Sequence, residues 1–219
     1  MALFRIAELA SGVIKLDGRD AAKLELPVLR GAIEIIPQSP VLFKGTIRSF
    51  VDPFDEYSDA EVWAALQKTR LTDSVARLAA GGGGGGGDGG GGGGGVYQHL
   101  YAEVADSGEN LSIGERQMLV MSRALLCGAK ILVLDESTAS VDHDTDAFIQ
   151  QIIREKFKET TILTIAHRLH TIIDCDKILV MSAGRLVEYD SPAVLLKRPD
   201  SLFRALAVDA GLDVPPTNN

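Results

Sequence analysis

The sequence predicts an α/β fold with a largely parallel sheet covered on both faces. Three observations carry this. The apolar runs 32–36, 130–135, 160–166 and 176–181 are short, nearly continuous and rich in Ile, Val and Leu, as expected of strands buried on both sides. Amphipathic patterns with helical spacing separate them. The composition, 46% hydrophobic and 24% charged over 219 residues, is that of a globular chain and excludes wholesale disorder.

The elements follow in order. Residues 12–16 (GVIKL) read as a strand closed by the Asp17-Gly18 turn, and 32–36 (AIEII) as a strand stopped by Pro37. Residues 58–68 read as a helix with Val62, Trp63 and Leu66 on one face, opened by the capping-box pair Ser58 and Glu61. A second helical stretch, TDSVARLAA, leads into residues 81–95, a run of 14 glycines broken only by Asp88. Such a run buries no apolar surface and loses much entropy on ordering, so it reads as a flexible surface loop. It follows no strand and lacks the Gly-Lys-Ser/Thr ending of a phosphate-cradling loop.

Ser112 and Glu115 form another capping box opening a helix over 114–127. KILVLD is a strand ending in an acid, 144–157 a helix, TTILTIA a buried strand and DKILVM a further one. Ala183-Gly184 turns into GRLVEYD, and a short helix follows Ser191-Pro192. The tail from 212 to 219 is expected to be loose.

Charge and cysteine content exclude several classes. With 22 basic against 30 acidic residues, the net charge of −8 argues against a general nucleic-acid binder, which needs a positive surface. Two cysteines make no disulfide framework and fit a reducing compartment. No run reaches the ~18 apolar residues of a membrane span. Arg5 and Glu8 interrupt the N-terminal apolar stretch, unlike a secretory signal.

Ligands of open α/β sheets sit beyond the C-terminal strand ends. There stand Asp135 and Glu136 after ILVL, His167 after TTILTIA, and Gln38 after AIEII and Pro37. A carboxylate there holds magnesium or caps the next turn; a second one beside it orients an attacking water. A histidine donates to a phosphate oxygen or simply ends a strand, and the glutamine binds metal or solvates a loop. At Ser112, Ile113 and Gly114, a helix N-terminus offers unpaired N–H groups to an anion, or to its own cap alone.

Taken together and in this order, the motifs resemble those of the ATP-binding-cassette (ABC) family. LSIGERQ is similar to its signature motif, ILVLDE to its Walker B strand and STASVD to its D-loop around Asp142. IPQSPVLF is similar to the Q-loop and TIAHR to the switch-histidine segment. The resemblance covers nearly the whole chain outside the glycine run and the tail. LFKGTIRSFVDPFDEYSDAEVWAAL, ESTASVDHDTD and GRLVEYDSPAVLL further resemble the second nucleotide-binding domain of subfamily C exporters of the multidrug-resistance-protein type.

The resemblance implies a P-loop NTPase-like ATPase domain with a mostly parallel sheet and a helical signature subdomain. That domain would span 1–211, its helical subdomain about 45–125, with the glycine insert at 81–95. ATP and Mg2+ are the implied ligands. Gln38 and Asp135 would bind magnesium, Glu136 would polarise the water and His167 would contact the γ-phosphate. Ser112, Ile113, Gly114, Glu115 and Gln117, with Asp142, would face nucleotide held by a second nucleotide-binding domain packed head-to-tail. Glu115 stands where the family usually has glutamine.

No G-x-x-x-x-G-K-S/T sequence occurs in these 219 residues, and the chain reads as a C-terminal portion, lacking the first strands and the phosphate loop. On this reading the isolated chain is inactive. Within a transporter, the domain lies at the cytosolic face of a membrane beside transmembrane domains, and organic anions or conjugates are the implied cargo. Two other readings are a silent partner-binding fragment and a chromosome-maintenance or repair ATPase. A long coiled-coil insertion would mark the last, and short helices and glycine stand there instead.

Overall fold

A computed structural model of the chain describes residues 1–81, 95–135, 143–166, 169–212 and 214. The chain folds as two compact units, 1–163 and 164–219. The strands are β1 (Lys15–Leu16), β2 (Arg19–Asp20), β3 (Ile33–Ile36), β4 (Gly45–Thr46), β5 (Glu103–Val104), β6 (Ile131–Asp135), β7 (Thr161–Ile165), β8 (Ile178–Ser182) and β9 (Arg185–Asp190). The helices are α1 (Leu26–Gly31), α2 (Ile47–Val51), α3 (Asp59–Lys68), α4 (Thr72–Gly81), α5 (Ile113–Cys127), α6 (His143–Lys156), α7 (Pro192–Leu195) and α8 (Leu202–Asp209).

The first unit is built on a sheet in the order β3-β6-β7. β3 and β6 run parallel with Ile33 opposite Ile131 and Ile36 opposite Leu134. Side chains of both strands enter the core: Ile33, Ile36, Leu132 and Leu134 are buried. α5 packs Met118, Leu119, Met121 and Ala124 into the same core as Val62 and Leu66 of α3 and Ile149 and Ile152 of α6. Each such large side chain contributes about 1.5–3 kcal/mol of burial, so this cluster is what holds α3, α5 and α6 together.

Three helices of the first unit begin with a reciprocal capping box: Thr46 with Ser49, Ser58 with Glu61 and Ser112 with Glu115. The last two match the sequence expectation. α5 ends at Gly128, whose left-handed backbone (φ 59°) terminates the helix without the steric cost a Cβ would bring.

Several expectations change. The strand over 12–16 shrinks to Lys15–Leu16, which turns at Asp17-Gly18 and pairs antiparallel with β2. α1, α2 and α8 were not expected from the spacing; α1 and α2 have 6 and 5 residues, too few for helical periodicity to show. β7 is not covered on both faces: Leu163 and Ile165 are 47% and 55% exposed.

In the second unit, β8 and β9 form an antiparallel hairpin around Ala183-Gly184, with a register shift at Val180/Met181. Ile178, Leu195, Leu196, Phe203 and Ala207 make its own core. Glu188 accepts hydrogen bonds from the N–H groups of Leu202 (2.8 Å) and Phe203 (3.1 Å), capping α8 from a strand. Leu212 and Val214, at the start of the tail, pack against that core.

Candidate functional site

The site begins at α5. Ser112, the N-cap, accepts a hydrogen bond on Oγ from the Glu115 N–H (3.2 Å), and Glu115 Oε2 accepts from the Ser112 N–H (2.8 Å). Among the described residues, no acceptor faces the N–H groups of Ile113 and Gly114. They point out of the positive end of a helix of 15 residues, which favours an anion there. Space at Gly114 is tight: a Cβ would lie 3.0 Å from Thr145 Cγ2, so that side chain would have to shift by a few tenths of an ångström to admit one.

Glu115 brings a negative charge to this helix start. Burial opposes its ionisation, but hydrogen bonds from Ser74 and Ser112 and the nearby Arg77 guanidinium outweigh it and lower its pKa. The carboxylate is therefore held ionised and already engaged, with Arg77 as counter-ion.

Beside this helix start lies a cavity of about 350 Å3, lined by Arg70, Ser74, Ser112, Gly114, Thr145 and Phe148 among others. The Arg70 guanidinium carbon sits 4.2 Å from the Phe148 ring centroid, a cation–π contact that fixes a positive charge at the rim. Arg70, Arg77 and Ser74 are absent from the sequence expectations, since no motif contains them. Only the chain fold brings them to α5.

The second part of the site lies at the ends of β3 and β6. Because Ile36 pairs with Leu134, Pro37 stands level with Asp135, and Gln38 lies one residue beyond. The exposed Gln38 and Asp135 therefore stand at, or just beyond, the C-terminal ends of two adjacent parallel strands. Carboxylate and amide oxygens are the hard donors magnesium takes, so these residues fit such an ion.

The two parts meet through Gln117. It is 1% exposed, and its Nε2 donates to the Gln38 carbonyl at 3.3 Å. The side chain therefore faces its own chain's Q-loop-like segment, where the resemblance had placed it toward nucleotide. Glu136, Asp142 and His167 lie outside the described residues.

A second concavity, about 500 Å3, opens beside Gln38 and is lined by Glu34, Pro37, Val41, Phe43, Phe50 and Arg123 among others. Phe43 and Val41 are 79% and 68% exposed. Burial raises the Glu34 pKa, against the pull of Arg123.

The sequence model of the ABC transporter family matches residues 1–139. The chain belongs to the ABC transporter family. Among relatives of this ABC domain, ATP-binding cassette sub-family C member 2 of Mus musculus is 47% identical over 96% of the chain. ABC transporter C family member 8 of Dictyostelium discoideum is 48% identical over 94% of it. The chain spans 12% of the length of either relative. A solved bacterial Atm1-family ABC exporter with ATP bound superposes with TM-score 0.79 and 34% identity, covering 98% of this chain and 34% of that one. The chain is thus of the nucleotide-binding-domain type found in subfamily C, with an α/β fold on a parallel sheet. Among the described residues, no helix is long and apolar enough to cross a membrane.

Proposed function

We propose that residues 1–211 belong to an ATP-hydrolysing domain that powers an exporter at the cytosolic face of a membrane. The β3–β6 register carries this reading, since it brings the C-terminal ends of these two strands, which lead to Gln38 and Asp135, side by side, where α/β folds bind ligands. Gln38 and Asp135 would hold magnesium, which would supply positive charge beside the nucleotide phosphates. Glu136 orients the attacking water and His167 donates to the γ-phosphate.

The free N–H groups of Ile113 and Gly114 and the Ser112 hydroxyl receive phosphate held by a second nucleotide-binding domain, packed head-to-tail, with Asp142 at that interface. Residues 45–125 form the helical subdomain that presents them. The apolar concavity around Phe43 is the surface assigned to the transmembrane partner, because large exposed apolar patches mark interaction sites. Organic anions or conjugates are the proposed cargo.

No phosphate loop occurs in the 219 residues, and signature-side contacts do not replace its cradle of backbone N–H groups. The chain alone is therefore inactive and binds ATP weakly. Titrating the purified chain with labelled ATP and magnesium, alone and with a domain carrying a phosphate loop, tests this. ATP-dependent association with that domain is the expected result. Micromolar ATP binding by the chain alone, or no association, overturns it.

A further inference from the structure

We propose that Gln117 is a positioning residue, whose side chain fixes the backbone that carries Gln38. Residues 37–44 lie in no helix or strand, and two of them, Pro37 and Pro40, have no N–H. Among the described residues, no backbone–backbone hydrogen bond reaches this segment. Its one hydrogen bond there is the 3.3 Å contact from Gln117 Nε2 to the Gln38 carbonyl, across 79 residues of sequence. Leu42, 1% exposed, anchors the far end of the segment by packing.

The burial of Gln117 argues that this contact is its role. It is 1% exposed, beside buried Met118, Leu119, Val120 and Met121. Facing a carbonyl, the amide must present its NH2, which turns Oε1 inward, where it has no partner among the described residues. An unpaired buried acceptor destabilises the fold, and methionine would fill the same space without that cost. Gln117 therefore trades stability for a donor at the one point where the Q-loop-like segment needs it. Six residues further along α5, Arg123 Nε stands 3.3 Å from Glu34 Oε1 on β3, though without the alignment of a hydrogen bond. α5 and the chain leading to Gln38 are thus linked at two points.

The consequence for metal binding rests on the proposed role of Gln38. Gln117→Met keeps length and shape but donates nothing; Gln117→Asn keeps the amide but is one methylene too short. Backbone order parameters from 15N relaxation of the full chain are read at Gln38, Ser39 and residues 33–36. In both variants Gln38 and Ser39 should drop from about 0.85 to below about 0.6, the range of flexible backbone, while 33–36 stay unchanged. Equal values in variants and parent at Gln38 and Ser39 overturn the proposal, as does a loss spread evenly over β3.

A second measurement uses a complete transporter carrying the domain. There the variants should weaken apparent magnesium affinity about tenfold, the lower end for losing an outer-shell partner, with the ATP dependence at saturating magnesium unchanged. Loosened order parameters with unchanged magnesium dependence uphold the positioning role and remove Gln38 as a metal ligand.

Discussion

The start of α5 and the end of β6 are both polar sites on the same core, yet they are finished to different degrees. At α5, Ser112, Glu115, Ser74 and Arg77 satisfy one another before any ligand arrives. At β6, Asp135 is exposed, and among the described residues the one hydrogen bond to Gln38 comes from Gln117. A helix cap closes within four residues of chain, whereas a strand end gains partners only from other segments. The cap of the anion site is thereby preorganised locally, with Ser74 and Arg77 reinforcing it from α4, and the metal site depends wholly on tertiary contacts and on the ligand itself.

The largest effect is expected at the strand end. In a complete transporter, Glu136→Gln should lower ATP hydrolysis by about 10²–10⁴-fold, the usual worth of a general base, while ATP binding persists. Asp135→Asn should instead weaken magnesium-dependent binding. Measuring hydrolysis and nucleotide trapping side by side separates the two. Parent-rate hydrolysis by Glu136→Gln would remove Glu136 from the chemistry.

At the helix start, effects should be smaller and appear as stability. Ser112→Ala removes the cap acceptor and should cost about 1 kcal/mol, read by chemical denaturation of the chain. An unchanged midpoint would show that the other partners of Glu115 suffice.

Glu115 gives this region a pH dependence. Its folded pKa lies below the ordinary 4.5, so its stabilisation is complete above that value and fades as pH falls through the folded pKa. Glu115→Gln should flatten the loss of stability as the pH falls below the ordinary 4.5 relative to the parent. Parallel profiles for the two proteins, followed by thermal melts, would show that the carboxylate is not held by Ser74, Ser112 and Arg77.

The smallest effect is expected where no site is involved. Cutting the glycine run of residues 81–95 to a few residues should move the melting temperature by no more than a few degrees. Loop closure changes by only about 0.6 kcal/mol per doubling of length. A larger drop would mean that the run makes specific contacts; residues 82–94 lie outside the described part of the chain.

The sequence by itself determined what is local. Ser58 with Glu61 and Ser112 with Glu115 start α3 and α5 as their spacing required, because a cap needs only its own turn. The apolar run before Asp135 determined β6, because only a strand covered by helices tolerates such a run. Tertiary structure decided the rest. It shortened the strand at 12–16, added α1 and α2 below the length at which periodicity is visible, and left β7 with exposed apolar side chains. It also chose the partners: Arg77 for Glu115, Phe148 for Arg70 and the Gln38 carbonyl for Gln117. Those pairs are 38, 78 and 79 residues apart. No local pattern encodes contacts over such distances; they exist only because the core of α3, α5, α6 and the sheet packs in one way.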